Sequence, residues 1–392
     1  MTTQIPVLSL QVKKPVVYDY WLSIAIILLL ITGVMVIASS SMEFANRNMG
    51  GPFAILLRHL IYMTLGLVSG AVIMRIPVDV WQKFDWILLL IGIVLLLLVL
   101  TPGIGSEING SKRWIRFGPI GMQPSELMKW FLIIYVSGYL VRRAEEVRNQ
   151  WSGFLKPIVV LAFIIVLLLL EPDFGAMVVA MSAVLGMMFL GGVRANQFFV
   201  LITACSGAVA FIATAQEYRM QRLLSFMDPW ASENVYGSGY QLTQALIAFG
   251  RGEWTGVGLG NSMLKLFYLP EAHTDFVFAI LGEEFGLIGV LFVLTLFALL
   301  IGRIFYIGWL AERRDQLFGA YACYGIALLM AMQAVINMGV NTALLPTKGL
   351  TLPLLSYGGS SLVVTLAMFG FVMAVYQATQ IPELQEKEEL EV

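Results

Sequence analysis

Charge is what this chain has least of. Of its 392 residues, 12% are Asp, Glu, Lys or Arg and 59% are hydrophobic, with a mean hydropathy of +0.83. A soluble domain carries about a quarter charged residues, so a freely soluble globular protein is excluded. The net charge is -1 and there is no basic tract, which leaves no electrostatic footprint for nucleic acid. Cysteine is nearly absent: Cys205 and Cys323 both lie in apolar runs. They read as small buried hydrophobes, not as a disulfide or metal pair. The opening MTTQIPVLSLQVKKPVVYDY lacks the apolar region and small-residue cleavage site of a signal peptide, so the first span is expected to be an uncleaved anchor. No internal repeat stands out. GRGEWTGVGLGN, at 250–261, is rich in glycine but has no GK[ST] element. That argues against ATP chemistry and for tight turns in a loop folded back onto the membrane.

Long apolar runs are what the chain has in abundance. A membrane helix needs roughly 20 mostly apolar residues. Candidate spans lie at 21–40, 59–76, 85–101, 125–141, 157–170, 175–190, 197–214, 276–304, 318–339 and 360–376. The fifth and sixth are short and separated by EPDFG, which predicts a helical hairpin. The expected fold is an all-α polytopic membrane protein of about ten transmembrane helices, one integral membrane unit over 1–392. Lys and Arg are more frequent in the short loops on the side of the termini, which predicts that both termini are cytoplasmic. A large extracytoplasmic loop between helices 7 and 8, at 215–275, and the Pro/Gly-rich loop 341–359 then face outward. The acidic tail, 378–392, reads as a solvated cytoplasmic end.

The polar groups are concentrated in YLPEAHTDFVFAILGEEFG, at 268–286, which sets Glu271, His273, Asp275, Glu283 and Glu284 beside an apolar span. Ionisable groups are costly in a bilayer and mark a functional site by default. Asp275 opens the eighth span. Burial and Glu271 would both raise its pKa, as suits a general base, though Asp275 and Thr274 are equally good helix N-caps. Glu283 and Glu284 lie about 12 to 13.5 Å further along a helix, so only one shares a face with Asp275. A protonated or paired role suits Glu284.

Glu126 and Lys129 in QPSELMK share a helix face, either as a structural ion pair or with Lys129 neutralising an anion that Glu126 positions. Asp173 in EPDFG follows a helix-breaking proline as a cap or a site residue. Arg58, Arg219, Arg222 and Lys348 are outward cations. They suit lipid headgroups or a pyrophosphate, with SYGGSS adding N–H donors at a helix start. Carboxylates and cations on the outer face, without a nucleotide site, fit a lipid-linked anionic substrate. They do not separate catalysis from translocation.

NGSKRWIRFGP…MQPSELMK, EPDFG, YRMQR, GSGYQLTQALIAFGRG, YLPEAHTDFVFAILGEEFG and LLPTKGLTLPLLSYGGSS together resemble the SEDS family (shape, elongation, division, sporulation). PEAHTDF and TKGLTLP are closer to its division branch than to its elongation branch. The resemblance implies a peptidoglycan glycosyltransferase that polymerises lipid II at the division septum of the bacterial inner membrane, with its site on the periplasmic face. It implies an inverting transfer, with Asp275 as the base and undecaprenyl pyrophosphate as the leaving group. Arg58, Glu126, Lys129, Asp173, Arg222 and Lys348 match the family's other polar positions. Arg219 joins them as a candidate for the leaving group's charge, and Glu271, His273 and Glu283 as supports. No protein metal site is expected; a divalent cation, Mg or Mn, could share the charge. The implied partners are a class B penicillin-binding protein (an FtsI-like transpeptidase) and divisome membrane proteins of the FtsQ, FtsL, FtsB and FtsN kind. A lipid II flippase and a non-catalytic division scaffold are the alternatives. Relatives often carry a basic residue where this chain has Gly121, and no role is carried over there.

Overall fold

The computed structural model describes residues 17–390, apart from 109–110, 119, 215–219, 221–224, 238 and 347–348. Its helices are α1 (Tyr20–Met49), α2 (Ala54–Ile73), α3 (Val78–Lys83), α4 (Asp85–Leu100), α5 (Pro124–Arg142), α6 (Ala144–Asn149), α7 (Trp151–Leu170), α8 (Phe174–Leu190) and α9 (Ala195–Thr214). They continue with the short α10 (Ser232–Val235), then α11 (Tyr240–Gly252), α12 (Val277–Arg313), α13 (Leu317–Asn341) and α14 (Ser360–Leu390). Each apolar run noted above coincides with a helix. Among the described residues, 6 helices suffice by length and composition to cross a membrane: α1, α2, α7, α12, α13 and the 360–380 part of α14. The apolar α4 and α8 are shorter.

Helix bounds depart from the hydropathy runs where polar groups find partners. α7 begins at Trp151 and runs through Pro157. Proline removes the N–H that would bond the carbonyl four residues back. The Tyr139 hydroxyl donates to that carbonyl, on Gly153, at 2.6 Å, and the helix continues. The fold is also not purely helical. Between α4 and α5 lie β1 (Gly105–Ile108), β2 (Ser111–Phe117) and β3 (Ile120–Met122), an antiparallel sheet in the order β1-β2-β3. Ser106 pairs with Trp114 and Arg116 with Gly121, with a register shift after Ser106.

The eighth run is not one straight span. Gly286 takes φ 63° and ψ -163° and interrupts α12. The loop at 253–258 fills the break. N–H groups of Val257 and Gly258 donate to the carbonyls of Glu283 and Glu284, and those of Leu287 and Ile288 donate to Glu253 and Trp254. A Cβ on Gly286 would lie 2.6 Å from the Trp254 carbonyl oxygen, and one on Gly256 2.1 Å from that of Glu284. Only glycine allows both approaches. Glu283 and Glu284 therefore end a short helix instead of sitting along a continuous span.

Candidate active site

Four helices, α5, α8, α12 and α14, begin at a cavity of about 620 Å3, and the sheet closes one side of it. Its walls include Glu126, Asp173, Glu271 and Asp275, with Arg113, Gln123, Tyr62 and Tyr357 among the other polar groups. Helix N-termini carry unpaired N–H groups and a positive partial charge, so their convergence favours an anion.

Asp275 does not cap α12. The N-cap is Phe276, without a side-chain bond, and the Thr274 hydroxyl donates to Glu271 at 2.7 Å. The Asp275 carboxylate lines the cavity instead. Burial and the Glu271 charge push its pKa up to about 7, while Arg113 pulls the other way. Across the cavity wall, a Cβ on Gly349 would lie 2.8 Å from Asp275 Oδ2.

Asp173 is both a cap and a wall residue. Its Oδ1 accepts from the Ala176 N–H at 3.2 Å, and its Oδ2 from Ser125 at 2.9 Å and Gln123 at 3.0 Å. Glu126 accepts from Lys129 at 2.9 Å and from the Ser361 hydroxyl at 3.1 Å, tying α5 to α14. The Lys129 side chain is only 1% exposed and sits behind Glu126, off the cavity wall.

The family model described as "Cell cycle protein", for FtsW, RodA and SpoVE, matches residues 20–381. A probable peptidoglycan glycosyltransferase FtsW of Hahella chejuensis is 54% identical over 88% of this chain and 86% of that one. Another from Coxiella burnetii is 50% identical over 93% of this chain and 97% of that one. The chain belongs to the FtsW/RodA/SpoVE family. Among solved structures, it is similar to a chain of a peptidoglycan synthase complex that coordinates polymerization and crosslinking. The TM-score is 0.76 at 28% identity, over 93% of this chain and 99% of that one. Thermus thermophilus RodA gives a TM-score of 0.66 at 26% identity, over 92% of this chain and 96% of that one.

In this FtsW/RodA/SpoVE fold, the other residues named from the sequence lie around the cavity or away from it. Arg58 is exposed, and its charge bears on the Tyr357 hydroxyl. The His273 ring packs between Phe44 (5.1 Å) and Tyr357 (6.1 Å), and its carbonyl accepts from the Tyr357 N–H at 3.0 Å. His273 thereby joins α1 to the loop before α14, and burial pushes its pKa down. Glu283 and Glu284 turn to the long loop. Glu283 accepts from Ser262 and from the Met263 N–H, with Arg251 at 3.5 Å. Glu284 pairs with Lys265 at 3.0 Å and accepts from Ser39. Arg219, Arg222 and Lys348 lie outside the described residues.

Three site features escaped the sequence. Arg113 on β2 donates to the carbonyls of Glu171 and Pro172 and stands 3.9 Å from Asp173. Its signal was the strand alternation of SKRWIRF after Asn109-Gly110, a hairpin dipeptide. Glu171 is fully buried with neither carboxyl oxygen hydrogen-bonded, and burial with Asp173 nearby pushes it up to about 8. Asn337 and Asn341 hold the backbone of Asp275; two polar residues four apart in an apolar run were the signal. Among the described residues, no three His, Cys, Asp or Glu group as a metal set.

Proposed function

We propose that this chain is a peptidoglycan glycosyltransferase that polymerises lipid II, with Asp275 as general base. One observation carries the reading: a carboxylate held near pKa 7 on the wall of a cavity onto which helix N-termini converge. A base tuned to the working pH combines a deprotonated form with enough basicity to accept a proton in the transition state.

In the proposed step, Asp275 takes the proton of the acceptor sugar's 4-hydroxyl as its oxygen attacks the anomeric carbon of the lipid-linked chain. The anomeric configuration inverts and undecaprenyl pyrophosphate leaves. The charge developing on the leaving group is met by the convergent N–H groups, by Arg113 on the wall and by Arg58 through Tyr357. Arg219, Arg222 and Lys348 belong to the same proposed charge set, and Asp173 orders the α5 and α8 starts. Lys129 acts by balancing Glu126. A divalent cation, Mg or Mn, could share that charge; each step here is assigned to the chain's own residues.

The wider setting is part of the proposal. About ten spans place both termini in the cytoplasm and the cavity on the periplasmic face of the inner membrane, at the division septum. The chain works as one integral unit, 1–392, with the loop at 215–275 outside and the tail at 378–392 inside. A class B penicillin-binding protein and other divisome membrane proteins are the proposed partners. Relatives named FtsW at 54% and 50% identity support the division role. Purified protein incubated with lipid II in detergent, where flipping has no meaning, should yield glycan polymer. A preparation that binds lipid II and its partner yet makes none would overturn the reading.

A further inference from the structure

Asp275 precedes the N-cap of α12, Phe276; if the helix began one residue earlier, the Asp275 carbonyl would accept from the N–H four residues on. For Asp275 that donor is Ala279. Here the Ala279 N–H donates to Asn341 Oδ1 and to the Phe276 carbonyl, both at 3.1 Å. The Asp275 carbonyl accepts instead from Asn341 Nδ2 and Asn337 Nδ2, each at 2.9 Å. The Asn341 amide thus stands between two groups that would pair if α12 began one residue earlier. Its orientation is fixed by its neighbours, because an N–H requires the oxygen and a carbonyl requires the NH2.

Both asparagines are buried, on adjacent turns at the C-terminal end of α13. Asn341 also donates to the Asn337 carbonyl at 2.9 Å, and Asn337 donates to the carbonyl of Leu350. Leu350 and Gly349 form the wall facing the Asp275 carboxylate. One pair of side chains therefore fixes the base segment and the surface opposite it.

We propose that Asn341 is a positioning residue for the base: its amide occupies both groups of the hydrogen bond that would extend α12 by one residue and so keeps Asp275 out of the helix, while Asn337 sets the facing wall. The inference rests on the assignment of Asp275 above. Without the amide, the Ala279 N–H is free to bond the Asp275 carbonyl. α12 then lengthens by one residue, with Asp275 as its N-cap, and the carboxylate swings away from its position beside Gly349. A displacement of about 1 Å at a reacting group costs as much as 100-fold in rate. Among the described residues, the charges that bear on the carboxylate are Glu271 and Arg113.

The test uses the full-length purified protein with lipid II, reading kcat, KM and the pH profile. Asn341→Asp is isosteric and keeps the acceptor for Ala279, but has no donor for Asp275; Asn341→Ala removes both. For Asn341→Asp, kcat should fall at least about 10-fold with KM within about twofold. In Asn341→Ala the acid limb should also move from about 7 toward the ordinary carboxylate range. Asn337→Ala, which loosens the facing wall but keeps the Asn341 bridge, should move that limb less than Asn341→Ala does. The inference fails if kcat stays within about twofold in both Asn341 variants. It fails equally if only the yield of folded protein drops while the remaining enzyme keeps its kcat and acid limb. Asp275→Asn is run alongside: if that variant polymerises, the base assignment itself falls and takes the positioning role with it.

Discussion

The carboxylate of Asp275 and the α-carbon of Gly349 face each other so closely that a methyl group on Gly349 would come within 2.8 Å of Oδ2. Real carbon–oxygen contacts are longer, so Gly349→Ala must displace the base or the wall. Polymerisation by Gly349→Ala should fall roughly 10-fold or more, because reacting groups tolerate little misplacement, while detergent-solubilised protein remains folded. Wild-type turnover in that variant would mean that the carboxylate has room the account denies it.

The position of the base also sets a pH dependence. Burial and Glu271 raise Asp275 to about 7, and in the proposed mechanism the deprotonated form does the chemistry. Polymerisation should therefore rise with pH through about 7 and level off above it. Among the described residues, Glu271 is the charge that raises Asp275; Glu271→Gln removes it, so its acid limb should lie below that of wild type. A pH–rate profile measures both. An acid limb that stays in place, or moves upward, counts against the coupling of these two residues.

Glu126 and Lys129 form a buried pair at 2.9 Å. Removing one partner of such a pair leaves an uncompensated charge and costs about 3–5 kcal/mol, whereas replacing both is often neutral. Glu126→Gln should lower the thermal unfolding temperature in detergent, and Glu126→Gln with Lys129→Met should recover most of the loss. A double variant no more stable than the single one would show that Lys129 answers to something other than Glu126.

Glu171 is a second raised carboxyl, at about 8, beside the same cavity. Its folded pKa lies above the ordinary value of about 4.3 for a free glutamate. The folded state therefore binds its proton more tightly, and stability falls as pH rises between those two values. Glu171→Gln cannot ionise. Its advantage in unfolding temperature over wild type should be small at pH 5 and grow toward pH 8. A constant difference across that range would place an unseen partner on the carboxylate.

The membrane helices were legible because hydrocarbon leaves a plain record: runs of apolar residues at spanning length. Their limits were less so. Pro157 read as a start, yet a tyrosine from another helix supplies the missing hydrogen bond. The break at Gly286 is invisible to hydropathy, since apolar residues follow it, and it exists only because the 253–258 backbone completes it. Asp275, Glu126 and Asp173 could be named in advance as charges where charge is costly. Arg113 could not, because it lies between two apolar spans, where a cation is ordinary, and its place on the wall depends on the strand pairing of β2. The asparagines of α13 carry no charge and act on a backbone carbonyl, so composition gave them no prominence.

The most direct measurement is polymer formed from lipid II by purified Asp275→Asn, compared with wild type at the same protein concentration and in the same detergent. The substitution keeps the size of the side chain and removes its ability to accept a proton. The account expects folded, monodisperse protein with no detectable glycan strands at any pH from 6 to 9. Strand synthesis at the wild-type rate would contradict it.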